Sequence, residues 1–442
     1  MEQPTLKRSI NWIQGTALTI SAVLGCGILV LPSITAANAG PASLLSWAIM
    51  ALFAFPIVLT LARLSTMIPN AGGITAYVRA AFGPHVSYLL SWVMLGSVPV
   101  GAPTLALTGA IYMNNLYHLN QWEIVALAAA MLLISLALNM KGIELSSKVS
   151  LPVVLIILAL IFAAITVSLP RVTIEAFHPF LPRGWAAVGS TSVLIFFSFV
   201  GWEMITPLSE EFENPKRDLT ISLLLGAFCI SVLYLLLSFV TVGTHAYGDG
   251  RMASLSLLLS AAFGSLGTIL VTLLALFITF IAVHANIAGF SRMVYAQARD
   301  GYFPKFFSVL HEKNQTPIRV LAAMGAAFLS LFLLYGVFQP SLGLLIQATS
   351  TVFIVSYVLT MLAALKMIKR DAIAWLLALI ACVTTLVILL FSGWLIFYPF
   401  LLVAAGELSL NPHLFVTRKL KMPVWKRSNG EEEESLPFRA KR

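Results

Sequence analysis

Apolar residues along this chain fall in long runs separated by short polar punctuation. They do not form the i, i+3, i+4 stripes of a water-facing helix or the alternation of a half-buried strand. The runs lie at roughly 12–37, 42–66, 85–111, 122–139, 149–169, 188–209, 219–243, 257–285, 319–338, 342–365, 372–391 and 393–410. About 20 mainly apolar residues make a helix long enough to cross roughly 30 Å of hydrocarbon. Each run therefore predicts one crossing, and the pattern predicts an all-α polytopic membrane protein with twelve transmembrane helices. Composition narrows this further: 442 residues at 59% hydrophobic and 10% charged exclude a soluble enzyme, a disordered chain and a secreted disulfide scaffold. Cys26, Cys229 and Cys382 all lie inside apolar runs and do not read as a disulfide framework.

Charge orients the helices. The net charge is +9, yet Lys and Arg sit in the short segments between runs and not on one basic face, which argues against nucleic acid as a partner. With the N-terminus in the cytoplasm, 24 of the 27 Lys and Arg fall on the inner side, and only Arg171, Arg183 and Arg251 fall outside. That asymmetry predicts two cytoplasmic termini. Lys7 and Arg8 precede the first run without a small-residue cleavage site, so the run reads as a retained helix and not a signal peptide.

Two spans carry glycines near their middle: Ala22-Val23-Leu24-Gly25-Cys26-Gly27-Ile28 in the first and Ser198-Phe199-Val200-Gly201-Trp202-Glu203 in the sixth. Gly109 or Gly226 alone reads as close helix packing. The paired segments stand about 175 residues apart, the offset between the first helices of two five-helix blocks. Paired interrupted spans at matching positions mark the binding site of inverted-repeat transporters. The expected organisation is a cytoplasmic N-terminus (1–11), a first five-helix repeat (12–169), a second (188–365), two added helices (372–410) and a cytoplasmic tail (411–442).

Several stretches then carry a family resemblance. Gly25-Cys26-Gly27-Ile28 followed by Pro32 resembles the first-helix signature of the amino acid, polyamine and organocation (APC) transporters. Pro69-Asn70-Ala71-Gly72-Gly73 with Tyr77 and Gly83 resembles the segment after their second helix. Phe199 to Glu203, with Glu211 and Asn214-Pro215-Lys216-Arg217, resembles their sixth helix and its exit. Ser291-Arg292-Met293, Ala298-Arg299-Asp300-Gly301 and Pro304 resemble the segment after the eighth, and Thr316-Pro317 the start of the ninth. The resemblance implies a LeuT-like 5+5 inverted repeat with discontinuous helices 1 and 6, plus two additional helices. Within the superfamily, Ser97-Val98-Pro99-Val100-Gly101-Ala102-Pro103 looks most like the bacterial inner-membrane exporters of methionine and branched-chain amino acids.

The breaks suit an amino acid. Unwinding leaves unpaired, positively polarised N–H groups at the start of the second half-helix, and those of Gly25, Cys26 and Gly27 are candidates to hold a carboxylate. The carbonyls of Ala22, Val23, Phe197 and Ser198, with Gly201 beside them, are candidates to receive an ammonium group. Met94, Phe196, Phe197, Phe199 and Trp202 are the candidate side-chain pocket, with lipid-facing or packing roles as the alternative for each. An apolar lining fits Met, Leu, Ile or Val and leaves a cationic substrate without an acidic partner.

Glu203 lies about 15 residues into the sixth run, beside the break, and a carboxyl at that depth is suited to carrying a proton; the alternative is a structural carboxylate bonded to freed backbone. His284, about 12 Å before the Arg292 edge, reads as a buried neutral imidazole, with proton coupling as its alternative role. Departures from the family pattern are Ile157, where some members carry Lys, Cys26 for the usual Ser or Thr, and Thr220 where Pro is frequent. The tail from Asn411, with Glu431 to Glu434 between basic clusters, reads as disordered and able to sit on anionic lipid. No cofactor, metal cluster or catalytic constellation is visible. The sequence therefore predicts a secondary active transporter of the bacterial inner membrane, with an amino acid, protons and the lipid bilayer as partners. Its expected action is export of neutral apolar amino acids coupled to the proton gradient by alternating access. The alternatives are an importer, an exchanger or antiporter of other specificity, and a non-transporting amino acid sensor.

Overall fold

A computed structural model describes residues 10–25, 27–68, 73–142, 147–206, 209, 212–248, 254–299, 303–314 and 316–410. The expectations placed on Cys26, Pro69 to Gly72, Glu211, Asp300-Gly301 and the tail from Asn411 lie outside the described residues. Fifteen α-helices follow one another among those residues: α1 Trp12–Val23, α2 Gly27–Ala39, α3 Ser43–Met67, α4 Ile74–Phe82, α5 Pro84–Gly96, α6 Val98–Tyr117, α7 Gln121–Met140 and α8 Ser147–Ser168. They continue as α9 Gly184–Phe196, α10 Thr220–Gly243, α11 Ser254–Arg299, α12 Ile318–Phe338, α13 Leu342–Met367, α14 Ala372–Leu390 and α15 Phe397–Leu410.

Among the described residues, eight helical stretches are long and apolar enough to cross a membrane, and three further apolar helices of 10–17 residues accompany them. The difference from twelve expected crossings has a physical origin. The first run folds as two short helices, α1 with 12 residues and α2 with 13, because the chain leaves helical geometry between them. The sixth ends as a helix at Phe196, and the last opens with a 3-10 turn over Gly393–Ile396 before α15. In the other direction, the run at 257–285 belongs to a 46-residue helix, α11, kinked at Gly264 (φ 58°).

Contacts between helix ends sort the connections onto two faces. On one, the Glu213 amide donates to the Ile10 carbonyl (3.0 Å), Ser222 Oγ to Trp12 (3.0 Å), and Thr316 Oγ1 to Met140 (2.9 Å). Arg63 pairs there with Asp371 (3.3 Å) and His85 with Glu407 (3.0 Å). On the opposite face, Arg183 donates to the Asn38 carbonyl (3.2 Å) and the Thr173 amide to Gly243 (3.1 Å). The outer surface is apolar at helical spacing: Leu329, Leu333 and Val337 on α12, and Ile373, Leu376, Ile380, Val383, Val387 and Leu390 on α14, are all exposed. Such stripes are stable against lipid and not against water.

Hydroxyls inside this apolar bundle close on their own helices. Thr104, Thr108, Thr349, Ser356 and Thr360 each donate to the carbonyl four residues earlier, at 2.6 to 3.0 Å. A polar group without a partner in hydrocarbon is costly, and this back-bonding removes it locally.

Candidate functional site

The two glycine-bearing segments do lose their helices, and they meet. Helix α1 ends at Val23; Leu24 is left with non-helical backbone, and α2 restarts at Gly27. In the sixth run α9 gives way to a 3-10 turn at Phe197–Phe199, then Val200 is extended (φ −90°, ψ 144°) and Gly201 adopts φ 128° before a second turn at Trp202–Met204. Only glycine takes that φ without strain. Space imposes the same choice, since a Cβ on Gly201 would stand 2.6 Å from the Ala22 oxygen and 3.1 Å from Val23 Cα. A Cβ on Gly27 would overlap Ser198 Oγ and lie 3.2 Å from Ser198 Cα. The joint between the half-helices is therefore main chain against main chain at Gly201–Ala22, and main chain against the Ser198 hydroxymethyl and Cα at Gly27.

Around this joint the polar groups are unevenly satisfied. The Gly25 amide donates to the Val23 carbonyl (2.8 Å), and Tyr234 on α10 donates to the same oxygen (3.5 Å), so this amide and this carbonyl have partners within the protein. Ser198 Oγ is buried beside the N-terminus of α2 and has no partner among the described residues. Glu203 is 4% exposed. Its Oε2 accepts from the Gly201 amide (2.9 Å) and from the Tyr357 hydroxyl of α13, while Oε1 has no partner among the described residues. The carboxyl thus has one saturated oxygen and one bare one, and a proton on Oε1 disturbs neither existing bond.

The candidate pocket residues separate. Phe196 stands edge-on to Tyr357 (5.5 Å between ring centres), and Phe199 packs against Tyr234 (5.5 Å) and Trp47 (6.4 Å). Phe197 is half-buried at the break. The ring of Trp202 reaches toward Gly226 of α10, 3.8 Å from where a Cβ would be, and its buried Nε1 has no partner among the described residues. Met94 is buried on α5, its carbonyl accepting from Ser97 Oγ (2.7 Å). Ala22 lies under Gly201 through its carbonyl.

His284 belongs elsewhere. Its Nδ1 accepts from the Asn139 amide (3.0 Å) and lies 3.3 Å from Ser135 Oγ, so it ties α11 to α7. Tyr357 and Tyr234 were not singled out for the site by sequence reasoning, although a buried tyrosine in an apolar run carries a hydroxyl that must find a partner. Among the described residues no group of three or more His, Cys, Asp or Glu is placed to hold a metal ion.

Comparison with known proteins agrees with this geometry. The family model described as amino acid permease matches residues 10–420. An uncharacterized amino acid permease of Bacillus subtilis (strain 168), YecA, is 55% identical over 404 residues, covering 91% of this chain and 95% of its own. The L-methionine/branched-chain amino acid exporter YjeH of Escherichia coli (strain K12) is 26% identical over 407 residues, covering 90% and 95%. The branched-chain amino acid permease BcaP of Bacillus subtilis (strain 168) is 25% identical over 336 residues, covering 71% and 72%. These relatives are transporters and not enzymes. A match over nearly the whole chain, around two interrupted helices that meet inside an apolar bundle, makes this multi-pass membrane protein a member of the amino acid permease family.

Proposed function

We propose that the chain is a secondary active transporter of the bacterial inner membrane that exports neutral apolar amino acids, namely methionine, leucine, isoleucine and valine. The observation that carries this reading is the meeting of the two breaks at Gly27–Ser198 and Gly201–Ala22, with Glu203 half-satisfied beside them. The substrate carboxylate sits at the N-terminus of α2 with Cys26, Gly27 and the hydroxyl of Ser198, the Gly25 amide being already bonded to the Val23 carbonyl. Its ammonium group meets the carbonyls of Ala22, Val23, Phe197 and Ser198, and its side chain lies among Phe196, Phe197 and Met94. No charged side chain takes part in holding the zwitterion, which favours a neutral substrate. The specificity and direction rest on the named activity of the Escherichia coli relative.

In this reading the chain makes twelve crossings with both termini cytoplasmic. Residues 12–169 and 188–365 are two inverted five-helix repeats, and 372–410 supply two further helices. The two-faced sorting of helix ends supports that path, and the 24 to 3 division of Lys and Arg supports its orientation. Glu203 takes its proton on Oε1 and gives it up when the sixth segment opens to the other side. The test is counterflow in proteoliposomes at two pH values: leucine and methionine compete for the site and arginine does not, and the reverse ranking overturns the reading.

A further inference from the structure

Helix α15 lies outside both proposed repeats and holds neither the substrate nor the proton, yet it is fitted closely along α5. The two run antiparallel. A Cβ on Gly96 would overlap Leu402, and one on Gly406 would lie 3.0 Å from Leu89 and 3.1 Å from Trp92. Further along this seam Tyr88 hydrogen-bonds Ser409, and His85 Nε2 pairs with Glu407 Oε1 (3.0 Å). At its other end the Tyr398 hydroxyl donates to the Gly96 carbonyl (2.6 Å).

That carbonyl stands at a bend in the third run. Helix α5 stops at Gly96 and α6 begins at Val98, with Ser97 between them. Ser97 gives both its amide (3.0 Å) and its Oγ (2.7 Å) to the Met94 carbonyl, a reach of three residues, and the Gly101 amide closes on the Ser97 carbonyl (2.6 Å). Pro99 and Pro103 have no N–H to give the carbonyls four residues before them. The helical ladder is thinned here, so outside contacts decide the angle of the bend. Gly96 is the last of the 13 residues of α5, about 18 Å from its start, and Gly25 stands about 20 Å from the start of α1 on the same face. The bend therefore lies at the depth of the joint. Beyond it, α6 reaches both sides of the site. A Cβ on Gly101 would touch Thr349 of α13 (3.3 Å), the helix of Tyr357, and the Tyr112 hydroxyl donates to the Leu29 carbonyl of α2.

We propose that Tyr398 is a positioning residue that sets the bend between α5 and α6, and with it the place of Met94 in the substrate pocket. Helix α15 thus tunes affinity for the substrate side chain without touching it. The proposal rests on the transport reading above, with Met94 as a wall of the pocket.

The experiment uses the full chain in proteoliposomes with leucine as the probe. Tyr398→Phe keeps the ring and removes the bond; it raises the KM for leucine about three- to tenfold, the worth of one hydrogen bond, while maximal flux stays within about twofold. Ser409→Ala removes a hydrogen bond of the same seam away from the bend, and leaves the KM within about twofold. A second readout needs no transport. In a chain whose Cys26, Cys229 and Cys382 are replaced by alanine, nitroxide labels are carried at the far ends of the two helices by His85→Cys and Tyr117→Cys, both exposed sites. Their distance distribution, read by double electron–electron resonance, shifts in Tyr398→Phe and not in Ser409→Ala. An unshifted distribution, an unchanged KM in a chain that moves leucine, or equal changes in Ser409→Ala overturns the role of Tyr398. A shifted distribution in a chain that moves no leucine leaves it standing and rejects the substrate instead.

Discussion

The hydroxyl of Tyr357 on α13 donates to Oε2 of Glu203, joining residues 154 positions apart at the edge of the sixth-segment break. The same oxygen receives the Gly201 amide, so one side chain and one strained glycine converge on a single carboxyl. This convergence leaves Oε1 as the carboxyl oxygen without a partner among the described residues.

Removing the proton site is the most direct check. Glu203→Gln keeps an acceptor for Gly201 and Tyr357 but carries no exchangeable charge, so substrate exchange continues while flux no longer follows an imposed pH gradient. Tyr357→Phe leaves Oε2 with one donor and lowers gradient-driven flux by about three- to tenfold, the scale of one hydrogen bond to a charged or buried partner. Flux measured with and without a gradient separates the two variants, and an unchanged gradient dependence in Glu203→Gln removes Glu203 from the proposed mechanism.

The two glycines at the first joint differ in their tolerance. Gly201→Ala forces a Cβ within 2.6 Å of the Ala22 oxygen at φ 128°. The strain alone is about 1–3 kcal/mol for a residue held in such a region, so a lower unfolding temperature in detergent and loss of transport are expected together. Nothing lies within 4 Å of a Cβ on Gly25. Gly25→Ala therefore keeps its thermal stability and raises the KM for leucine, because the methyl occupies room at the break.

His284 gives a contrasting outcome. Its Nδ1 is already an acceptor for Asn139, and the pair lies between α7 and α11. His284→Ala removes one of three acceptors of the Asn139 amide, which keeps the Ser135 carbonyl (2.9 Å) and the carbonyl of residue 284 (3.4 Å), so thermal stability falls by about 1 kcal/mol, the net worth of one hydrogen bond. The pH-gradient dependence of the surviving flux is expected to match the wild type, and a flattened dependence would assign His284 a share of the proton path.

Surface pairs contribute little by comparison. Arg63 and Asp371 are 46% and 41% exposed, and His85 and Glu407 are 56% and 41% exposed. Exposed pairs are worth about 0–1 kcal/mol. Arg63→Ala or His85→Ala should move the unfolding temperature only slightly, and raising the salt concentration should remove most of the difference.

The glycines made both breaks legible in the sequence, because Gly25, Gly27 and Gly201 interrupt runs that otherwise read as helix from end to end. The hydroxyl network was not legible. Tyr357 reaches Glu203 and Tyr234 reaches Val23 across chain separations that no local spacing encodes. Helix α4 escaped notice for another reason: nine residues are too few to stand out against a window of about 20.

At Gly201–Ala22 the joint is backbone against backbone, while at Gly27 the nearest atom across it is the small hydroxyl of Ser198. A change of diet would therefore reach this protein through its walls and not its pivot. In the proposed reading, substitutions at Phe196, Phe197 or Met94 reshape the room offered to a substrate side chain while the contacts of the joint stay as they are. Recognition of the common amino acid frame and discrimination among its side chains are thus open to separate selection, a division of labour that would let one scaffold serve many nutrients.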